Sequence, residues 1–165
     1  MAPMQKITSN LWFDKQAEEA AKYYTSIFKN SKIGRIARFG KEGFEIHHQP
    51  EGQVMTVEFE LEGQSYLALN GGPEFTFNEA VSFIVNCADQ HEVDYYWERL
   101  SDKGDPKAQQ CGWLKDKFGL SWQIVPTILN DLMTDPDKAK TERVMKAMLA
   151  MKKLDIKLLE KAYQG

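Results

Sequence analysis

Side chains able to do chemistry are few in this sequence, and each sits in a setting that limits its role. Glu58 stands between Val57 and Phe59. Such a glutamate either faces solvent or lines a cavity, where burial would raise its pKa and make it a candidate general base. Gln123 alternates with Trp122 and Ile124, so on a strand it faces away from them. It is either a ligand-contacting amide or a rim glutamine bonded to a neighbouring strand. Cys111, two residues before Trp113, is either a cavity thiol or a small buried hydrophobe. No His or Lys adjoins it in sequence to lower its pKa. His47 and His48 are adjacent, so on a strand they point to opposite faces and cannot chelate one ion together. His91 opens a helix and reads as exposed, and Cys87 closes a strand and reads as core. A Walker motif, a serine-nucleophile elbow and a zinc pattern are absent, and Gly71-Gly72-Pro73 precedes a strand instead of joining a strand to a helix. No cofactor is expected on these grounds.

The elements that must position these groups come in two similar halves. At one constant offset Tyr23-Tyr24 falls on Tyr95-Tyr96, Leu11 on Phe83, Phe13 on Val85 and Phe28 on Leu100. Gly63-Gln64-Ser65-Tyr66-Leu67-Ala68-Leu69 is echoed by Gly119-Leu120-Ser121-Trp122-Gln123-Ile124-Val125. Two repeats indicate two like modules and not a solenoid. Ala17, Ala20, Ala21, Tyr24 and Phe28 have helical spacing and cover one face of a sheet. Met55, Val57, Phe59 and Leu61 alternate with polar residues, as on a half-buried strand. Weaker strands are expected over 31–39 and 45–49, and further ones over 6–13, 65–69, 109–114 and 120–125. Each module reads as strand, helix, strand, strand, strand, which argues for α+β with antiparallel ribbons. The modules are expected at 5–72 and 73–127, and a helical appendage at 128–165 has no counterpart in the first half. There Asp135-Pro136 reads as an N-cap with proline at the first helical position.

Composition narrows the partners. A formal net charge of −3 gives no electrostatic footprint for nucleic acid, and the lysines of the tail are interleaved with acids. No apolar run approaches the ~20 residues of a membrane helix. Residues 1–6 lack the apolar stretch of a signal peptide. Two isolated cysteines make no disulfide framework, so a cytoplasmic location is the expectation.

Two such modules in tandem resemble the vicinal oxygen chelate superfamily of glyoxalase, bleomycin-resistance and extradiol dioxygenase proteins. Leu11-Trp12-Phe13-Asp14, Ala17-Glu18-Glu19-Ala20 with Tyr23-Tyr24, Leu69-Asn70-Gly71-Gly72-Pro73, and Gly112-Trp113-Leu114-Lys115-Asp116 through Ser121-Trp122-Gln123-Ile124-Val125-Pro126 resemble its PhnB-like branch. That branch often carries the label 3-demethylubiquinone-9 3-methyltransferase. The last motif is the most specific, and the resemblance covers roughly residues 5–127. It implies two βαβββ modules, each curled into a half-barrel, forming a largely antiparallel sheet around a cavity. Metal-binding members supply His, Glu or Gln from the first and last strands of each module. The matching positions here hold Thr8, Leu67, Ala80 and Gln123, of which only Gln123 is a plausible ligand. No metal is therefore expected. The methyltransferase label has no support from a recognisable S-adenosylmethionine motif.

Strand parity then assigns Asn10, Trp12, Ser82, Ile84 and Gln123 to the cavity wall, and Glu58, Cys111 and Trp113 join them as ligand-binding candidates, with catalytic roles left unassigned. Two functions stay open. One is an enzyme acting on a small organic substrate that Glu58 or Gln123 orients or deprotonates. The other is a non-catalytic binding protein of the bleomycin-resistance kind, holding a planar ligand against Trp12 and Trp113. Trp12→Ala and Gln123→Ala are expected to alter ligand binding at little cost in stability, whereas Leu11→Ala and Phe13→Ala cost about 2–5 kcal/mol. The tail stripe Val144, Met148, Met151, Leu159 and Tyr163 must find a surface, and a second chain in a homodimer is the expected one.

Overall fold

A computed structural model describes residues 5–165. The first four residues, on which the reading of the N-terminal stretch partly rests, lie outside the described part. The chain forms two compact units, one up to Thr76 and one from Phe77 onward.

In the first unit β1 (Ser9–Phe13), α1 (Ala17–Ile27), β2 (Lys32–Arg38), a short α2 (Phe44–His47), β3 (Val54–Leu61) and β4 (Gln64–Asn70) follow in sequence. The sheet order is β1-β4-β3-β2, with β1 parallel to β4 and the other pairs antiparallel. Its hydrophobic alternation decides which face is covered. Leu11, Phe13, Val57, Phe59, Leu61 and Ala68 are buried with Ala17, Ala20, Ala21, Tyr24 and Ile27 of α1, and Tyr24 stacks on Phe59. No side chain at Gln16 caps α1. Asn70, buried at the end of β4, does this from a distance: its Oδ1 accepts from Ala17 N–H at 2.8 Å and its Nδ2 donates to Val54 O at 3.0 Å. One side chain thus ties the helix start to two strands.

The strand expected over 45–49 is instead α2. Gly43 and His48, both with left-handed backbone, bracket a single helical turn. His47 fastens it, with Nδ1 accepting from Gln49 N–H and Nε2 bonded to Glu42 O.

The second unit contains β5 (Ser82–Cys87), α3 (Gln90–Ser101), β6 (Trp113–Lys115), β7 (Ser121–Pro126), α4 (Ile128–Met133), α5 (Lys138–Leu149) and α6 (Ile156–Gln164). Its sheet has three strands in the order β5-β7-β6. The counterpart of β2 is missing: the chain passes through a 3₁₀ turn at Pro106–Ala108, and the expected strand over 109–114 shrinks to β6. Cys111 (φ 52°) and Gly112 (φ 85°) are successive left-handed residues, which no strand can accommodate. Their N–H groups donate to Met151 O and Lys152 O of the tail, at 2.8 and 2.7 Å. Val93, Trp97 and Leu100 of α3 cover the face made by Val85, Cys87, Trp122 and Ile124.

The tail belongs to this unit. Val144, Leu154 and Leu159 are fully buried with Leu129 and Leu132, and Val125, Met148, Met151 and Tyr163 pack against them. The stripe that suggested a homodimer is therefore spent inside one chain, and no second chain is needed to cover it. What α5 and α6 leave to solvent is Met145, Leu149 and Leu158. The cap of α5 also lies two residues later than expected. Asp137 accepts from Ala139 and Lys140 N–H, while Asp135 accepts from Asp137 N–H and the Tyr163 hydroxyl. Among the described residues no helix is long and apolar enough to cross a membrane.

Candidate functional site

Each sheet is covered by its helix on one face, and the candidate residues other than Cys111 stand on the other. In the first unit the pairings Asn10↔Leu67, Trp12↔Leu69 and Glu58↔Leu67 put these side chains on the face away from α1. Near one end this face holds a groove of about 340 Å³, lined from β2, β3 and β4 by Lys32, Arg35, Glu58, Ser65 and Leu67 among others, and by Thr8 just ahead of β1. Asn10 and Trp12 share the face but do not line the groove.

Arg35 was not legible from sequence, because regular alternation would send it beneath α1. The pairing Ile33↔Phe59 is followed by Ile36↔Val57, so Gly34 and Arg35 together oppose the single residue Glu58. That β-bulge turns Arg35 outward. Its Nε donates to Glu58 Oε2 at 2.9 Å and its Nη2 to Oε1 at 2.7 Å. Lys32 Nζ pairs with Glu60 one step along the strand, at 3.2 Å. The Arg35 hydrogen bonds hold the Glu58 carboxyl below the usual glutamate range. This is opposite to the upward shift that a buried general base would need. Glu58 is expected to stay ionised below the usual glutamate range, and Arg35→Gln to return it to that range. A carboxyl-carbon NMR titration checks this. The pair's contribution to stability is complete above the unfolded carboxylate range, fades as pH falls through the lowered value, and is small because both groups are exposed.

Trp12 has a structural role that its parity concealed. Its Nε1 donates to Gly72 O at 2.9 Å, and its ring meets Phe75 edge-on at 4.9 Å. A Cβ on Gly71 would lie 2.3 Å from the indole. The Asn-Gly-Gly-Pro segment is therefore shaped by the indole packed against it. Trp12→Ala is now expected to cost stability as well. Gly71→Ala should lower it by about 1–3 kcal/mol through overpacking, and Trp12→Ala should relieve most of that penalty in the double variant. Urea midpoints of the three variants test the contact.

In the second unit Ser82, Ile84, Trp113 and Gln123 share the face opposite α3, through the pairings Ile84↔Gln123 and Trp113↔Gln123. Gln123 Nε2 donates to Ser82 Oγ at 2.9 Å, so the amide is braced by the neighbouring strand, and Ile84 is exposed. Lys115 on the same face pairs with Glu79 at 2.5 Å. Cys111 is not brought to this face as part of a strand; it occupies the left-handed turn held by the tail. The buried Cys87 thiol is pushed up to about 12, chiefly by desolvation, and is inert.

The positions that the superfamily resemblance matches to metal ligands hold Thr8 and Leu67 in the first unit and Ala80 and Gln123 in the second. This set does not fit a divalent ion. Leu67 and Ala80 carry no side-chain ligand atom, which leaves only a neutral hydroxyl and a neutral amide. Among the described residues no three His, Cys, Asp or Glu side chains are grouped so as to hold a metal.

Residues 5–125 match the family model described as 3-demethylubiquinone-9 3-methyltransferase. The chain belongs to this PhnB-like family. A structure described as a putative 3-demethylubiquinone-9 3-methyltransferase, PhnB protein, from Bacillus cereus is 35% identical. It covers 74% of this chain and 100% of its own, with a TM-score of 0.63. A Pseudomonas aeruginosa protein, 16% identical with a TM-score of 0.56, covers 74% of this chain and 98% of its own. The fosfomycin resistance protein FosX from Listeria monocytogenes is 14% identical with a TM-score of 0.51, over 82% of this chain and 99% of its own. These last two share the fold. No match was found among curated proteins. The family match stops at Val125, so α4, α5 and α6 lie outside it although they complete the core of the second unit.

The most specific stretch of the family resemblance also has a structural explanation. Asp116, almost wholly buried, accepts from Phe118 and Leu120 N–H through Oδ1 and from the Trp122 indole through Oδ2. The motif fixes the β6–β7 turn.

Proposed function

We propose that this PhnB-like protein binds a small organic molecule on the sheet faces its helices leave open, without a resident metal ion. The observation that carries the reading is the groove of the first unit, to which three strands and Thr8 just ahead of β1 contribute polar side chains around Leu67. Its size of about 340 Å³ falls in the ordinary range for small-molecule sites. In the second unit Trp113 and the Ser82–Gln123 pair offer a flat apolar surface beside a braced amide. Binding is preferred to proton abstraction, because a carboxylate held below its usual pKa is a poor base near neutrality.

The test is a thermal-shift screen of chelator-treated protein against a metabolite set, with metal analysis of the protein as purified. A ligand at about 100 times its Kd should stabilise the fold by about 2.7 kcal/mol without added metal. Stoichiometric, tightly held Zn, Ni, Mn or Fe would overturn the metal-free reading. Silence across the set in both metal-free and metal-loaded protein would overturn binding.

A further inference from the structure

We infer that the groove of the first unit is a docking site for the carboxylate of a small monoanionic ligand, with Arg35 as its anion-binding group. This rests on the ligand-binding reading above and names the ligand class.

The β-bulge is the first observation. One extra residue in β2 brings Arg35 to the groove face, where a regular strand would have placed it under α1. The second is how the guanidinium is engaged. Glu58 takes Nε and one Nη2 hydrogen, which is one edge of a five-donor fork. The other edge, between Nη1 and Nη2, is the geometry that receives a carboxylate in two parallel hydrogen bonds. The Arg35 side chain is 88% exposed, so a ligand reaches that edge without displacing Glu58. Glu58 acts as a positioning residue, holding the planar group at a fixed angle.

Charge sets the class. The groove carries two cations, Lys32 and Arg35, and two carboxylates, Glu58 and Glu60. These four charges cancel, so the net field rewards no second negative charge, and a monoanion matched to the planar guanidinium edge is the favoured class. Leu67 offers the apolar surface for the body of the ligand, and the Thr8 and Ser65 hydroxyls are further polar groups around it.

Three phenyl probes separate the possibilities: benzoate, the neutral and equally planar benzamide, and phenylphosphonate as a tetrahedral dianion at mildly alkaline pH. Binding is read by NMR on the Arg35 side-chain N–H and the Leu67 amide. Benzoate should move both signals saturably and bind at least about tenfold more tightly than benzamide. Arg35→Gln should reduce benzoate to the level of benzamide. Arg35→Lys should fall between, because a point charge lacks the second hydrogen bond. Glu58→Gln should speed water exchange at the Arg35 side chain in the free protein and raise phenylphosphonate relative to benzoate. Equal binding of benzoate and benzamide, or unchanged benzoate binding in Arg35→Gln, overturns the anion site and leaves small-molecule binding standing. Failure of all three probes to move the groove signals also overturns it, whereas binding itself falls only with the metabolite screen.

Discussion

A chain ending at Thr134 is expected to lose the fold of its second unit. Truncation removes Val144, Leu154 and Leu159, all fully buried, and uncovers Val125, Leu129 and Leu132. Each buried side chain of this kind contributes about 1.5–3 kcal/mol, so the loss approaches the roughly 5–15 kcal/mol of an entire domain. The cut also removes Met151 O and Lys152 O, the acceptors for the left-handed Cys111-Gly112 turn. Gln90 on α3 loses both its bonds to the tail, to Leu154 O and from Ile156 N–H. Urea denaturation followed by circular dichroism reads the effect. The second unit should unfold at far lower urea while the signal of the first persists. A truncated chain with an unchanged profile would show that the helices are dispensable.

The largest single-residue effect is expected at Asp116. Asp116→Ala leaves three donors without their acceptor: Phe118 N–H, Leu120 N–H and the indole N–H of Trp122, itself 3% exposed. Two of these bonds are buried and the Phe118 bond is part-buried, so at about 1–3 kcal/mol for each donor left unsatisfied in the interior the cost should reach about 3–5 kcal/mol. Asp116→Asn keeps one acceptor oxygen but points an amide NH₂ at another donor, so it should recover only part. Tryptophan fluorescence in urea reads the change, since Trp97, Trp113 and Trp122 all lie in the second unit. A change under about 1 kcal/mol would mean the carboxylate staple does not hold that turn.

The period-two run from Met55 to Leu61 and the helical spacing from Ala17 to Phe28 made β3 and α1 readable, because one buried face imposes each pattern. What stayed hidden depends on single residues. A bulge adds one residue to β2, and hydrophobic alternation over so short a strand cannot register it; Gly34 was the available signal, and Arg35 was missed with it. Parity placed Trp12 on the open face but could not show that its ring packs over Gly71. Asp135 and Asp137 are equally good caps by type, and Pro136 favoured the wrong one. The tail stripe was legible as a surface needing cover, but its partner, a core built with α4 and Val125, is tertiary information. Glu58 was found in sequence, whereas the direction of its pKa followed only from the neighbour brought by the bulge.

The most direct test of the functional account is a crystal structure of metal-free protein with the best ligand from the metabolite screen. The account predicts ligand density on the face of the first unit away from α1, beside Thr8 and Leu67, with an anionic group on the outer edge of Arg35 and Glu58 still bonded to its inner edge. Density that avoids this groove, or a ligand held through a coordinated metal ion, would contradict it.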